Sequence, residues 1–453
     1  MKNSAFVSLF FLSLCLTLSS SAAPISDIEL YQRCHAHLTG TAPKLNDIIL
    51  KDILDKRISA IQACKDMLKL ATLNGARPLL KTNKKGIQVL DTFFKIHSSW
   101  FENKIFEGDN KDSSDIYESS PGGLFYTKAL FDPNYKFSDI FSGTQSFDAI
   151  RSDGEPELSP FQKVAAKDYK YTTTGTTLVP FVGLKFPQIG LLEGIKPDIE
   201  LTVTNIRGNA GQHIVNGSLG GGLLGNRNYV MKATAERGLD ADGAVQMPRR
   251  WGRAIFLDFL CQDLPVVNTT TDSNPYVAPS STTAFRTTSG CVSCHASMDQ
   301  LSGLIRNYNT ETITRDLNRT SLPIFHKTES TNTPYAWKSN GDSNYKFQTP
   351  RGKFYYRTLA GQLIDRDVAN IEALGNLMVG LNDMYMCTAS RYLEHFTGVK
   401  FPISRVTYEP SHSYSKAIKS LSTDLKANQN PMGVVESILS SDIYKDSKFM
   451  VGE

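Results

Sequence analysis

Two cysteines three residues apart, with a histidine directly after the second, occur once in this 453-residue chain, as Cys291-Val292-Ser293-Cys294-His295. No other feature restricts so strongly what the chain can become. Two thiols on one short turn can add to the two vinyl groups of haem, while the adjacent imidazole ligates the iron. The pentapeptide therefore predicts covalently attached haem c, with Cys291 and Cys294 forming the thioethers and His295 as the proximal iron ligand. At this chain's own residue frequencies, about 0.002 such matches arise by chance. A structural zinc site needs four donors, and no second CxxC is present. A redox dithiol of the thioredoxin type needs a strand before the motif, whereas a Ser/Thr-rich stretch precedes this one. "RCHAHLTG" at 33–40 has Tyr31 where a second attachment site would need cysteine, so one haem is expected.

The N-terminus bears on the compartment. Lys2 is followed by an apolar run from Ala5 to Leu18 and by small residues ending at Ala22-Ala23, the layout of a secretory signal peptide over residues 1–22. The run is short for a membrane span. Lipoprotein anchoring at Cys15 is disfavoured because Leu14 is bulky where a small residue is wanted. The expectation is export to the periplasm, without a transmembrane segment in the mature chain. Export agrees with haem, since c-type attachment takes place outside the bacterial cytoplasm. With 49 basic and 45 acidic residues, a formal charge of +4 and no long basic run, nothing suggests a nucleic acid partner.

Removal of the signal takes Cys15 away, and haem would consume Cys291 and Cys294. Four cysteines remain in an oxidising compartment: Cys34, Cys64, Cys261 and Cys387. Sequence order and helical patterning suggest Cys34 with Cys64, which leaves Cys261 with Cys387. Other pairings, or free buried thiols, stay open at this point.

Apolar periodicity makes the chain mainly α. One stripe (Ile48, Ile49, Ile53, Leu54, Ile58, Ile61, Met67, Leu68) predicts a long or broken helix within 26–74, and a second amphipathic helix is expected at 86–106. Residues 107–123, ending in Pro121-Gly122-Gly123, read as a loop. One or two short helices broken at Pro133 follow. Minor β content is expected in the middle, as a hairpin in 169–184 and a strand in 199–208. Helical patterning returns at 226–240 and 248–261. Residues 265–289 read as an irregular connector, 310–348 as polar loop, and 365–398 as a helix kinked near Gly375 or Gly380. The modules so defined are a helical N-terminal module (23–165), a middle module with the connector (166–287), a cytochrome c-like haem module (288–400) and a C-terminal helical tail (401–453).

A sixth iron ligand would come from methionine or histidine. Met298 is one turn from His295 and so belongs to the proximal side. Met378 is the first distal candidate because it shares the apolar face of Leu374 and Leu381; Met384, Met386, His326 and His395 are others.

The surroundings of the motif resemble a known pattern. "MPRRWGRAIFLDFLCQDLP" (247–265), "AFRTTSGCVSCHASMD" (284–299), "GGGLLGNRNYVM" (220–231), "KALFDPNYKFSDIF" (128–141) and "LMVGLNDMYMCTASRYLEHFTG" (377–398) carry it. The chain resembles the large exported c-type cytochromes of planctomycetes and myxobacteria, built from consecutive domains of unknown function. The resemblance covers roughly 124–400 and implies a multi-module helical fold with one haem. Gln300 stands where that family has proline, and "LIRNYNT" (304–310) where it has an acidic run.

Other features tempt less. Gly220–Gly225 fits G-x-G-x-x-G, yet a turn or packing role is expected, since no βαβ unit frames it. Arg249, Arg250 or Arg253 could pair haem propionates or form a solvated helix face. His97 and Trp100, three apart, read as a core pair rather than a redox relay. No hydrolase or phosphate-binding constellation is visible. The functional expectation is a single-haem electron carrier with an unidentified redox partner. The alternatives are a haem enzyme with an open iron site and a binding or scaffold protein with structural haem.

Overall fold

The computed structural model describes residues 25–74, 77–78, 84–101, 121–143, 146–150, 188–192, 202–203, 212–214, 219–232, 243–281, 286–315, 320–328 and 349–445. The signal-peptide reading and the hairpin expected in 169–184 lie outside them.

The described chain is mainly α. The long or broken helix expected within 26–74 is three helices, α1 (Asp27–Thr39), α2 (Ile48–Leu54) and α3 (Ala60–Lys69), with the stripe from Ile48 to Leu68 carried by the second and third. Each starts where a side chain satisfies an orphan backbone N–H. Ser26 and Glu29 form a capping box, Asp47 caps α2 and Ser59 caps α3. Gly40, at φ 71°, ends α1 in the left-handed region that glycine tolerates best. A short β1–β2 pair (Leu73–Asn74 with Arg77–Pro78) leads to α4 (Lys84–Ser99).

The next helix corrects the sequence reading. Pro121-Gly122-Gly123 is no loop end but the first turn of α5 (Pro121–Phe131), buried along its whole length. Proline suits a first helical turn because its missing N–H has no intrahelical partner there. A Cβ on Gly122 would come 2.3 Å from the Phe101 ring. These glycines thus serve a close approach between α5 and the end of α4, which composition alone cannot distinguish from flexibility. The break at Pro133 is observed, followed by α6 (Asp139–Ser142).

Strands β3 (Ser146–Ile150) and β4 (Gln188–Leu192) pair antiparallel. Strand β5 (Thr202–Val203), within the expected 199–208, pairs with β6 (Gln212–Ile214). The G-x-G-x-x-G stretch is a turn: Gly220, Gly221 and Gly222 have φ of 90°, 66° and 56°. It leads into α7 (Arg227–Lys232) and then α8 (Gly243–Leu260). The described part of the connector after α8 is irregular as expected, includes a 3-10 turn at Asn274–Tyr276, and leads to α9 (Ser289–Ser302).

Residues 310–348 are not all loop. Strands β7 (Tyr308–Arg315) and β8 (Thr320–Thr328) form a hairpin, and the antiparallel sheet runs β5-β6-β8-β7. Thr310, Thr312, Ile313 and Thr314 are β-branched and favour extended backbone although the segment is largely polar. The segment 365–398 is corrected likewise. Its start belongs to strand β10 (Leu363–Val368), paired with β9 (Gly352–Arg357), and the helix breaks at Gly380 into α10 (Ile371–Val379) and α11 (Asn382–Thr397).

Helices α12 (Arg405–Tyr408), α13 (Ser413–Asn428), α14 (Pro431–Ser440) and α15 (Asp442–Lys445) complete the described chain. They do not trail away. α13 packs on α11, and α14 packs on α3, α5 and α11. One large core takes in side chains from α1 through α15. Among the described residues no helix is long and apolar enough to cross a membrane.

Both expected cysteine pairs are at disulfide distance. Cys34 on α1 and Cys64 on α3 have Cα atoms 6.2 Å apart; Cys261 and Cys387 are 5.4 Å apart. The second pair ties the end of α8 to α11, across a sequence separation of 126.

His97 is a core residue, as expected. Its Nδ1 lies 2.8 Å from Thr127 Oγ1, its Nε2 lies 2.9 Å from the Tyr392 hydroxyl, and its ring meets Trp100 at 4.8 Å. His37 and His395 pack ring to ring at 5.5 Å, with His37 Nδ1 3.1 Å from the Tyr444 hydroxyl and Arg33 over the Tyr444 ring. Burial, reinforced by His395 and Arg33, pushes the His37 imidazole down to about 3. Burial also lowers His97 and His395. Protons that the unfolded chain binds near the ordinary value of 6.5 are therefore refused by the folded one. This contribution is complete above that value and is lost as pH falls towards 3. Urea unfolding is expected to show a lower midpoint at mildly acidic than at neutral pH; an unchanged midpoint would contradict the burial of neutral imidazoles.

Candidate haem-attachment site

The motif occupies the first two turns of α9. Thr288 precedes the helix in extended conformation, and Cys291 is the third helical residue. Between Cys291 and Tyr308 every residue is buried except four: Cys291, Cys294, His295 and Met298. They stand at i, i+3, i+4 and i+7, which on a 3.6-residue helix is one stripe. From Cys291 onward the accessible face of α9 is thus made of the two thiols, the imidazole and one thioether. Cys291 and Cys294 are both free. Burial pushes the Cys294 thiol above its ordinary range.

The opposite face of α9 is fixed. Val292 and Ala296 pack with Val267 and Tyr355 in a small cluster, with Tyr276 and Val277 against it. The connector that supplies Val267, Tyr276 and Val277 is held by polar contacts. Asn268 Oδ1 accepts from the backbone N–H of Thr270 and Thr271, at 3.0 Å each. Arg357 donates to both oxygens of Asp272 at 2.5 and 2.7 Å, and the Tyr355 hydroxyl donates to the Asp272 carbonyl at 3.0 Å. The guanidinium holds the Asp272 carboxyl below its usual range, although burial opposes it. A sequence that reads as irregular is therefore an ordered floor, because short polar side chains replace backbone pairing.

A contact missed from the sequence lies beside the thiols. His295 Nδ1 is 3.1 Å from each carboxylate oxygen of Asp299, one turn further along α9. Arg249 on α8 grips the same carboxylate, Nε to Oδ1 at 2.7 Å and Nη2 to Oδ2 at 2.8 Å. Burial works to raise the Asp299 carboxyl, but His295 and Arg249 outweigh it and hold it below its usual range. The signal was available as His-x-x-x-Asp, a spacing that brings helical side chains together. Of the other arginines considered for propionates, Arg253 pairs with Asp263 at 2.9 Å and Arg250 is exposed. Gln300 lies within α9 and donates to the Ala296 carbonyl at 2.8 Å.

Three of the distal candidates lie in or against the main core. Met378 is fully buried in the main core, on α10, which packs on α6 and β10. Met384 is also fully buried there, and Met386 packs against that core. His395 is packed among His37, Phe93 and Phe396, and His326 falls on β8. The structure thus unites Cys291, Cys294, His295 and Met298, and puts Met378 in a different cluster from the motif's apolar face.

The donor set fits haem c: two unbonded thiols one turn apart, and an imidazole anchored through one nitrogen, all on an accessible face. Among the described residues no three His, Cys, Asp or Glu side chains converge as a metal cage. The chain matches no family model, no curated protein and no solved structure.

Proposed function

We propose that the chain is an exported c-type cytochrome, carrying one haem c on the open stripe of α9 and exchanging electrons with a periplasmic redox protein. The observation that carries this reading is the stripe itself: the non-buried positions of residues 291–308 are the two thiols, the imidazole and Met298. Two cysteine pairs at disulfide distance are compatible with an oxidising compartment. The resemblance to planctomycete and myxobacterial cytochromes belongs with the same reading.

Bound haem would supply a one-electron ferric/ferrous couple. The chain's own residues do the rest. Cys291 and Cys294 would hold the group in position, His295 would ligate its iron, and the floor of Val292, Ala296 and Tyr355 backs the helix that carries them. Partner and attachment face would coincide, because the stripe is accessible.

A haem enzyme with an open iron site is the second reading. It is favoured by the burial of Met378 and Met384 in the main core and by the packing of His395 among His37, Phe93 and Phe396. Carbon monoxide separates the two. An electron carrier is expected to keep its reduced spectrum under carbon monoxide and to titrate reversibly with one electron. A reduced spectrum converted by carbon monoxide, with peroxide consumed by the ferric protein, would overturn electron carriage in favour of catalysis.

A further inference from the structure

We propose that Asp299, clamped by Arg249, is the positioning residue of the site: it holds His295 as the Nδ1–H tautomer, keeps the Nε2 lone pair for iron, and sets the potential of the bound haem. The last of these rests on the cytochrome reading; the tautomer does not.

An ionised carboxylate only accepts hydrogen bonds. With both Asp299 oxygens 3.1 Å from Nδ1, that nitrogen must be the donor. A neutral imidazole protonated at Nδ1 carries its lone pair on Nε2. Asp299 cannot swing away, because it is 6% exposed and the Arg249 fork takes both of its oxygens. The pair also crosses the α8–α9 interface, so the geometry of the iron ligand is set by a second helix.

A charged acceptor does more than orient. It raises the basicity of the ligating imidazole, which favours ferric over ferrous iron. Arg249 is the counterweight, since its charge draws on the same carboxylate. Removing either partner should therefore move the couple in opposite directions. Asp299→Asn takes away the negative charge and leaves the guanidinium, so reduction becomes easier. Arg249→Gln frees the carboxylate towards His295, so reduction becomes harder. A purely structural role would give no such opposition of sign.

The test has two arms. Nitrogen NMR of the full-length, haem-free Cys291→Ala/Cys294→Ala protein, at mildly alkaline pH, is expected to show His295 Nε2 unprotonated. Adding Asp299→Asn is expected to restore the solution mixture of tautomers. A protonated Nε2 in the parent protein would overturn the positioning role whether or not haem binds. In the haem-loaded protein, mediated titration reads the ferrous/ferric ratio at one ambient potential, with one electron per iron supplied by the mediator. Asp299→Asn is expected to raise that ratio tenfold or more and Arg249→Gln to lower it, a tenfold change being about 59 mV for one electron. Ratios that stay put, or move together, would overturn the control of potential alone. A parent protein with the expected tautomer but no covalent haem would overturn the cytochrome reading and leave the tautomer standing.

Discussion

Replacing Cys387 with serine is expected to lower the free energy of unfolding by about 4–5 kcal/mol, the loop-closure estimate for a bridge spanning a hundred residues or more. Cys261 and Cys387 are separated by 126 residues in sequence, and their link joins the end of α8 to α11, two helices that pack on each other. Opening it restores freedom to the unfolded chain and leaves Cys261, held at a left-handed φ of 53° that costs a non-glycine residue about 1–2 kcal/mol, without its covalent anchor. Denaturant unfolding with and without thiol reductant checks this. The wild-type protein should lose stability on reduction, and Cys387→Ser should retain only the part owed to Cys34–Cys64. Equal sensitivity to reductant in both proteins would mean that the second bridge is not formed in solution.

The second large effect concerns Met378. It is fully buried among core side chains, so Met378→Ala is expected to cost about 2–5 kcal/mol, lost transfer energy plus a residual cavity. Met378→Leu conserves volume and should cost less than about 1.5 kcal/mol. Neither is expected to alter the haem spectrum beyond what lower stability brings. Loss of a low-spin spectrum in the well-folded leucine variant would instead identify Met378 as the distal ligand, and would require α10 to leave its present packing when haem is attached.

Much of this architecture was legible because local signals and burial agreed. The apolar stripe from Ile48 to Leu68 is carried by α2, α3 and the turn between them. His97 and Trp100, three apart, meet in the core. Cysteine order gave the pairing found at disulfide distance. Reading failed where tertiary contact overrode composition. Pro121-Gly122-Gly123 carries loop residues, but its glycines are there to admit Phe101 and α4. The β7–β8 hairpin is polar, so its alternation was hidden while its β-branched threonines were visible. Residues 365–368 read as the start of a helix because pairing with β9, 6 to 16 residues upstream, leaves no periodic trace in the strand itself.

The candidate site divides in the same way. Cys291, Cys294 and His295 announce their chemistry by spacing alone. Asp299 could have been found at i+4 from His295, whereas Arg249 lies fifty residues away on another helix and only folding brings it to the carboxylate. That the stripe is accessible, with Val292 and Ala296 turned into a floor, is likewise a property of packing.

Covalent haem on α9 is read out by a haem stain and a reduced pyridine spectrum of the denatured mature protein, made in a host with c-type maturation machinery. One haem per chain, resistant to denaturation and lost from Cys291→Ala and Cys294→Ala, is the expected result. A denatured chain free of haem, with both thiols still titratable, would contradict the account.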